Sequence, residues 1–408
     1  MSAPSAPAPS LGRAEWSRDA PALPQGGHSV TGLATVRRPT GMTSMPTTVV
    51  AKAVRNNREQ PASNRLYRKF LAAEQRCYER LAPLDTDHQY AAPYYGTALI
   101  NMDDGREETC LCVGPAGISL GRYLLELNRR QEADRSSALR HESGTGVVYA
   151  DSLRLILEVW EALHFLHTGA GFCHGDVKPS NVVVGRLQHD RDLDRLPARA
   201  RLIDFGKSFE ITGDRGGPHR PATTAYEAAT WSPWSVQQYS SAVRRPPDHA
   251  GAVDVFGMAL LAVDCLTGTT LESVPVHLRE TLREAYCSWA PIPDSARQDP
   301  SAYAAWAAGV PAGWDRTPVH FLWDWAAANE ALVLPPPPQS RSPRRPSPSK
   351  PKTKPWVTGT LSRRLARCLR AGPSFVGVLG PMTHPDPSKR PGVAASLAAF
   401  RELAKRFT

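Results

Sequence analysis

Cys173-His174-Gly175-Asp176-Val177-Lys178-Pro179-Ser180-Asn181-Val182-Val183-Val184 is followed, after a polar and arginine-rich excursion, by Leu202-Ile203-Asp204-Phe205-Gly206. Each apolar run has the length of a buried strand and is bordered by acidic or amide residues. The pattern predicts a pair of buried strands carrying polar groups at their ends. Those groups suit phosphate transfer. One carboxylate can orient a hydroxyl, one lysine can steady a phosphate, and Asn181 with Asp204 can hold Mg²⁺ through hard oxygen ligands.

The Asp176-x-Lys178-x-x-Asn181 spacing, with Asp204-Phe205-Gly206 downstream, resembles the eukaryotic-type protein kinases. Lys178 in this loop resembles the Ser/Thr branch rather than the Tyr branch. The resemblance implies that Asp176 accepts or orients the substrate hydroxyl proton and that Lys178 neutralises charge on the transferring group. It also implies that Asn181 and Asp204 ligate Mg²⁺ beside ATP. His174 is expected to pack below the loop. Gly175 departs from the family, many members of which carry an arginine there that meets a phosphorylated activation loop. The departure implies activity that does not wait on such a phosphate.

Upstream, Val50-Ala51-Lys52-Ala53 is similar to the family's third-strand motif. Read alone, Lys52 is an edge-strand lysine; within the resemblance it bridges the α- and β-phosphates of ATP. Its carboxylate partner is expected to be Glu74. Cys77, Tyr78 and Leu81 mark the core side of that helix and point Glu74 with them, whereas Glu79 falls on the solvated face. Gly27 and Gly32 fit two glycines of the family's phosphate-covering turn, with Ser29 and Ala34 as departures. By itself this segment reads as a hairpin turn. The resemblance places the adenine-binding connection at Val113-Gly114-Pro115-Ala116, with Val113 as gatekeeper and the backbone of Gly114 and Ala116 meeting the base.

Downstream, the activation segment is expected to run to about Trp234, with Thr223, Thr224 and Thr230 as phosphorylation candidates. Ser232-Pro233-Trp234 replaces the family's Ala-Pro-Glu. Arg390 matches the arginine that pairs with that glutamate, so Gln237 or Gln238 is the substitute partner. Asp254 matches the buried aspartate that hydrogen-bonds the catalytic-loop backbone.

The 408 residues are enough for one large domain or two. Apolar content is 41% and charged content 22%, as in ordinary globular chains. The longest apolar run, Val255 to Val263, is far short of the ~20 residues of a membrane span. The Ser/Ala/Pro-rich start lacks the apolar core of a secretory signal. The seven cysteines are scattered without a Cys-x-x-Cys pair, which argues for a reducing compartment and against a zinc site. Cys110 and Cys112 are expected on opposite faces of one strand. The net charge is +10, but residues 341–354 hold six basic and no acidic side chains. The rest of the chain therefore does not argue for a nucleic-acid partner. The basic stretch has three readings: a solvated insert, a nuclear-localisation patch, or a docking segment.

Residues 1–21 read as a disordered tail and 22–408 as a protein kinase domain. Its expected fold class is α+β and bilobal, with a small β-rich N-lobe at about 22–113 and a larger, mainly helical C-lobe at about 117–408. The expected ATP site lies in the cleft between them. Strands are expected at Gln25–Val36 (two, around a glycine turn), Thr47–Val54, Thr97–Met102 and Glu108–Val113. Helices are expected at 62–82, 120–130, 151–168 (capped by Asp151 or Ser152), 253–266, 359–371 and 392–406. Residues 276–330 hold several Trp- and Ala-rich segments that read as helical but show no clear pattern. A Pro/Arg/Ser-rich insert occupies about 335–355, and the loop after Val184 reads as a solvated hairpin excursion. The expected function is transfer of the γ-phosphate of ATP to Ser/Thr hydroxyls of a protein substrate in an intracellular, cytoplasmic setting, with 341–354 as the nuclear candidate. The alternatives are a pseudokinase or scaffold that uses the fold for binding, and a small-molecule kinase.

Overall fold

The computed structural model describes residues 10–17, 29–36, 48–54, 61–102, 104–114, 117–126, 145–185, 198–211, 231, 251–267, 271, 276–324 and 373–406. Five strands lie in its N-terminal part: β1 (Ser10–Trp16), β2 (Ser29–Val36), β3 (Thr48–Val54), β4 (Tyr94–Asn101) and β5 (Glu107–Val113). They form a closed barrel in the order β1-β2-β3-β5-β4. β1 closes it, running antiparallel to β2 (Ala14 opposite Val36) and parallel to β4 (Ala14 opposite Ile100).

This closure overturns the expected bilobal, protein-kinase-like fold class. The N-terminal segment expected to be a disordered tail supplies the closing strand, and both edges of the sheet find partners. The interior is narrow, as a five-stranded barrel requires. It is filled by small side chains, among them Ala14, Ala34, Ala51, Ala53, Ala98, Cys110 and Cys112. Cys110 and Cys112 therefore share one face of β5, their sulfurs 3.9 Å apart, rather than opposite faces. Strand side chains alternate with period two, so residues two apart point the same way.

The same alternation decides where the site forms. Val49, Ala51 and Ala53 point into the barrel, which turns Lys52 outward. There it meets helix α1 (Pro61–Leu81), whose Cys77, Tyr78 and Leu81 are buried.

The loop segments follow helix α2 (Thr145–Phe165) and a π-helical turn at Leu166–Ala170. α2 starts earlier than expected, so Asp151 and Ser152 lie inside it. The Ser152 hydroxyl donates to the Cys265 carbonyl at 2.8 Å. β7 (Phe172–Cys173) pairs with β10 (Phe209–Glu210). β8 (Val182–Gly185) is the first of the expected strands, but its antiparallel partner β9 (Arg199–Leu202) ends at Leu202. β9 therefore lies mostly upstream of the apolar run expected to form it, in the arginine-rich stretch. β6 (Ile118–Ser119) pairs on the other side of β8.

The chain divides into two compact units that do not follow a sheet-lobe and helical-lobe boundary. The first comprises Met1–Tyr123, Arg154–Arg220 and Arg245–Asp254. It holds the barrel, α1 and both halves of the opening motif. The second comprises Leu124–Leu153, Pro221–Arg244 and Val255–Thr408. Its core includes most of helix α3 (Ala252–Thr267), buried on all sides as its apolar run predicts. The unpatterned stretch forms α4 (Val276–Trp289), a short helix at Asp294–Gln298 and α5 (Pro300–Gly309). Trp231, Tyr286, Trp289 and Phe321 pack their rings together there. α6 (Pro373–Leu379) and α7 (Val393–Ala404) end the chain. No helix among the described residues is long and apolar enough to cross a membrane.

Candidate active site

Lys52 Nζ donates to Glu74 Oε2 at 2.7 Å and to Asp204 Oδ1 at 2.6 Å. Three elements separated by up to 152 residues thus meet on one ammonium. Glu74 is buried, whereas Glu79 accepts from Gln75 along the helix. Burial works against the charge on Lys52, but Asp204 and then Glu74 outweigh it and hold its pKa above the ordinary lysine value. Of the two carboxylates, burial pushes Glu74 up. Burial acts on Asp204 in the same sense, yet the charge and hydrogen bond of Lys52 hold it well below the usual carboxylate range. Asp204 keeps 42% of its side chain exposed, so an ionised carboxylate stays open to a ligand. Its backbone is left-handed, at φ 62° and ψ 63°, a strained choice for a residue other than glycine.

The following turn, Phe205–Lys207, is a short 3-10 helix. Phe205 is wholly buried, edge-on to Tyr78 at 4.9 Å and tilted against His174 at 5.2 Å. This ring anchors the segment that carries Asp204 to the helix that carries Glu74.

Asp176 follows β7 and is nearly buried. Lys178 Nζ lies 3.0 Å from its Oδ2, and Lys207 Nζ donates to its Oδ1 at 3.0 Å. Burial would raise its pKa, but Lys207 and then Lys178 lower it, so it is an anion at neutral pH. Asn181 Nδ2 donates to the Asp176 carbonyl at 2.9 Å and to its Oδ2 at 3.1 Å. That fixes the amide orientation and turns the Asn181 side-chain oxygen away from Asp176, as a hard donor in the same loop. His174 Nε2 donates to the Ile203 carbonyl at 3.0 Å, and its Nδ1 accepts from the Asp176 N–H at 3.3 Å. The imidazole ties the two motif halves together from below.

Asp254 completes the support. Its carboxylate accepts from the backbone N–H of His174 at 2.7 Å, the N–H of Gly175 at 2.8 Å and His167 Nε2 at 2.8 Å. A wholly buried charge survives because these donors replace water. Burial alone would raise its pKa; the hydrogen bonds from His167 and the loop backbone lower it. His167, Cys173 and Asp254 have ligand atoms within 4.8 Å of one another. The oxygens of Asp254 are already engaged by N–H groups, so this trio is a buttress beneath the loop rather than a metal centre.

Two expected nucleotide contacts sit differently. Gly32 lies within β2 opposite Ala51, not in a turn, and a Cβ there would stand 3.0 Å from the Trp16 ring. Its bare Cα makes room for that indole, whose Nε1 donates to Asn101 O at 3.0 Å. Gly114 follows β5, and its N–H donates to the Pro93 carbonyl at 2.7 Å. Only its own carbonyl is left to offer an adenine amino group. Gly27, Ala116, the activation-segment threonines, Trp234, Gln237, Gln238 and the 335–355 insert lie outside the described residues. Arg390 donates through Nε to the His384 carbonyl at 2.7 Å, with its guanidinium 4.8 Å over the Phe256 ring.

Lys207 is the residue that sequence reasoning missed. A lysine one place past Asp204-Phe205-Gly206 belongs to no spacing rule, and only the 3-10 turn brings it back to Asp176. No protein-family model matches the chain.

Proposed function

We propose that the chain transfers the γ-phosphate of ATP to Ser/Thr hydroxyls of protein substrates. The observation that carries this reading is Lys52 held between buried Glu74 and half-open Asp204, with Asp176, Lys178 and Asn181 in the adjoining loop. Phosphoryl transfer needs little covalent chemistry from the protein; it needs positioning and charge neutralisation. Lys52 would hold the α- and β-phosphates of ATP, and Glu74 would keep its ammonium in place.

The donor set fits Mg²⁺. Asp204 offers an ionised, exposed carboxylate and Asn181 an amide oxygen of fixed orientation, both hard ligands. Bound there, Mg²⁺ would neutralise charge on the phosphate oxygens. Asp176 would accept the acceptor hydroxyl's hydrogen bond and orient its oxygen. Its lowered pKa favours orientation over strong general-base action. Lys178 would offset charge near the transferred group. ATP chemistry and the absence of any disulfide among the described cysteines fit an intracellular setting.

A binding-only role draws on one observation, the placement of Gly32 under Trp16 instead of in a phosphate-covering turn. Radiolabelled ATP with a generic protein acceptor separates the two. Wild type should incorporate phosphate, and Lys52→Met, Asp176→Asn and Asp204→Asn should each lose about 100-fold or more in rate. Wild-type incorporation by Asp176→Asn would sink the mechanism. A wild type that binds ATP yet transfers nothing would favour the binding-only role.

A further inference from the structure

We propose that Lys207 is a positioning residue for Asp176, clamping the carboxylate oxygen opposite the one held by Lys178. The inference rests on the phosphoryl-transfer reading above. Lys207 Nζ donates to Asp176 Oδ1 at 3.0 Å, while Oδ2 has Lys178 Nζ at 3.0 Å and Asn181 Nδ2 at 3.1 Å. With each oxygen held by a different group, the carboxylate cannot turn about its Cβ–Cγ bond without giving up contacts at both ends. An acceptor hydroxyl then meets one orientation of Asp176.

The main chain holds Lys207 in register for this task. Gly175, just before Asp176, has φ +77°, and a Cβ there would lie 2.5 Å from the Lys207 carbonyl oxygen. The Lys207 backbone therefore passes directly over the residue that precedes the catalytic aspartate. Ser208 N–H donates to the Phe205 carbonyl at 2.9 Å and closes the turn. Beyond it, Phe209 pairs with Cys173 and Glu210 with Phe172. A lysine so placed is part of the loop's frame, and its side chain is only 20% exposed.

The clamp predicts a split between turnover and nucleotide binding. Misplacing a reacting group by about 1 Å costs on the order of 100-fold in rate. Lys207→Met should therefore lower kcat for labelled phosphate transfer to dephosphorylated casein by about 100-fold, with KM for ATP within about twofold of wild type. Lys207→Arg, which keeps a cation at nearly the same reach, should recover kcat to within about tenfold. Thermal melts of each variant establish that it is folded; should Lys207→Met fail to fold, Lys207→Gln decides by the same split. An unchanged kcat in the folded neutral variant overturns the clamp alone. So does a loss that Lys207→Arg does not recover, or one that appears mainly as a raised KM for ATP. A wild type that transfers no phosphate overturns the underlying reading and the clamp with it.

Discussion

At the scale of single residues, Gly175 explains more than its letter in the motif suggests. Here the backbone is left-handed, and the Lys207 carbonyl occupies the space a Cβ needs. A side chain would pay the left-handed penalty of about 1–2 kcal/mol and also displace the turn that carries Lys207. Gly175→Ala should therefore destabilise the protein by about 2 kcal/mol or more in urea denaturation, and phosphate transfer should fall with it. A wild-type midpoint in that variant would show that the close approach relaxes at no cost. The pairing of Lys52 with Glu74 was legible in the sequence, and so was Asp204 in its own motif, but the Lys52–Asp204 bond was not, because no spacing rule joins residues so far apart in the chain. The choice of Glu74 over Glu79 was legible too, since Cys77, Tyr78 and Leu81 define the buried face of α1. Lys207 was not, because its role arises from a turn and not from a spacing.

At the scale of elements, the strand least visible in the sequence has the largest effect on architecture. Ser10–Trp16 buries only Leu11 and Ala14 among its inward positions and follows a Ser/Ala/Pro-rich start. Its hydrophobic pattern is weak because what holds it is pairing on both sides, and pairing partners cannot be read from the strand itself. The long helices were legible, since α1 and α7 carry their own apolar stripes. α5 belongs to an Ala- and Trp-rich stretch that reads as helical but without bounds, although Asp299-Pro300 is a helix-start signal. Asp299 accepts from the Ala302 N–H at 2.8 Å, and Pro300 takes a first-turn position where no N–H is required. Closure of the barrel has a direct readout in hydrogen exchange. Backbone amides of β4 that face β1 around Thr97, Leu99 and Ile100 should exchange slowly in the full chain and much faster when Ser10–Trp16 is deleted. Fast exchange of these amides in the intact chain would mean an open sheet edge and would overturn the closed barrel.

At the scale of the whole molecule, every described group of the candidate site belongs to the first compact unit, and so does the buried aspartate that supports it. That concentration of carboxylates links stability to pH. Asp176, Asp204 and Asp254 all have folded-state pKa values below the ordinary one. In the unfolded chain they would bind protons near pH 4, while the folded protein still keeps them ionised. Stability from these groups is therefore fully present above about pH 4 and drains away as pH falls through their lowered folded values. Glu74 acts in the opposite sense, because its raised pKa makes the folded state take up a proton first. Asp254 is the cleanest of the four to test, being wholly buried and bonded only to His167 and the loop backbone in the contacts described above. Asp254→Asn leaves the N–H groups of His174 and Gly175 competing for one amide oxygen in place of two charged ones. At pH 7 it should cost about 3 kcal/mol in chemical denaturation. The deficit should shrink as pH falls below about 4, because the wild type loses its charge-dependent share there and the variant has none to lose. A deficit that stays constant from pH 7 down to the acid transition would mean that Asp254 supports the loop through shape alone and that its charge contributes nothing.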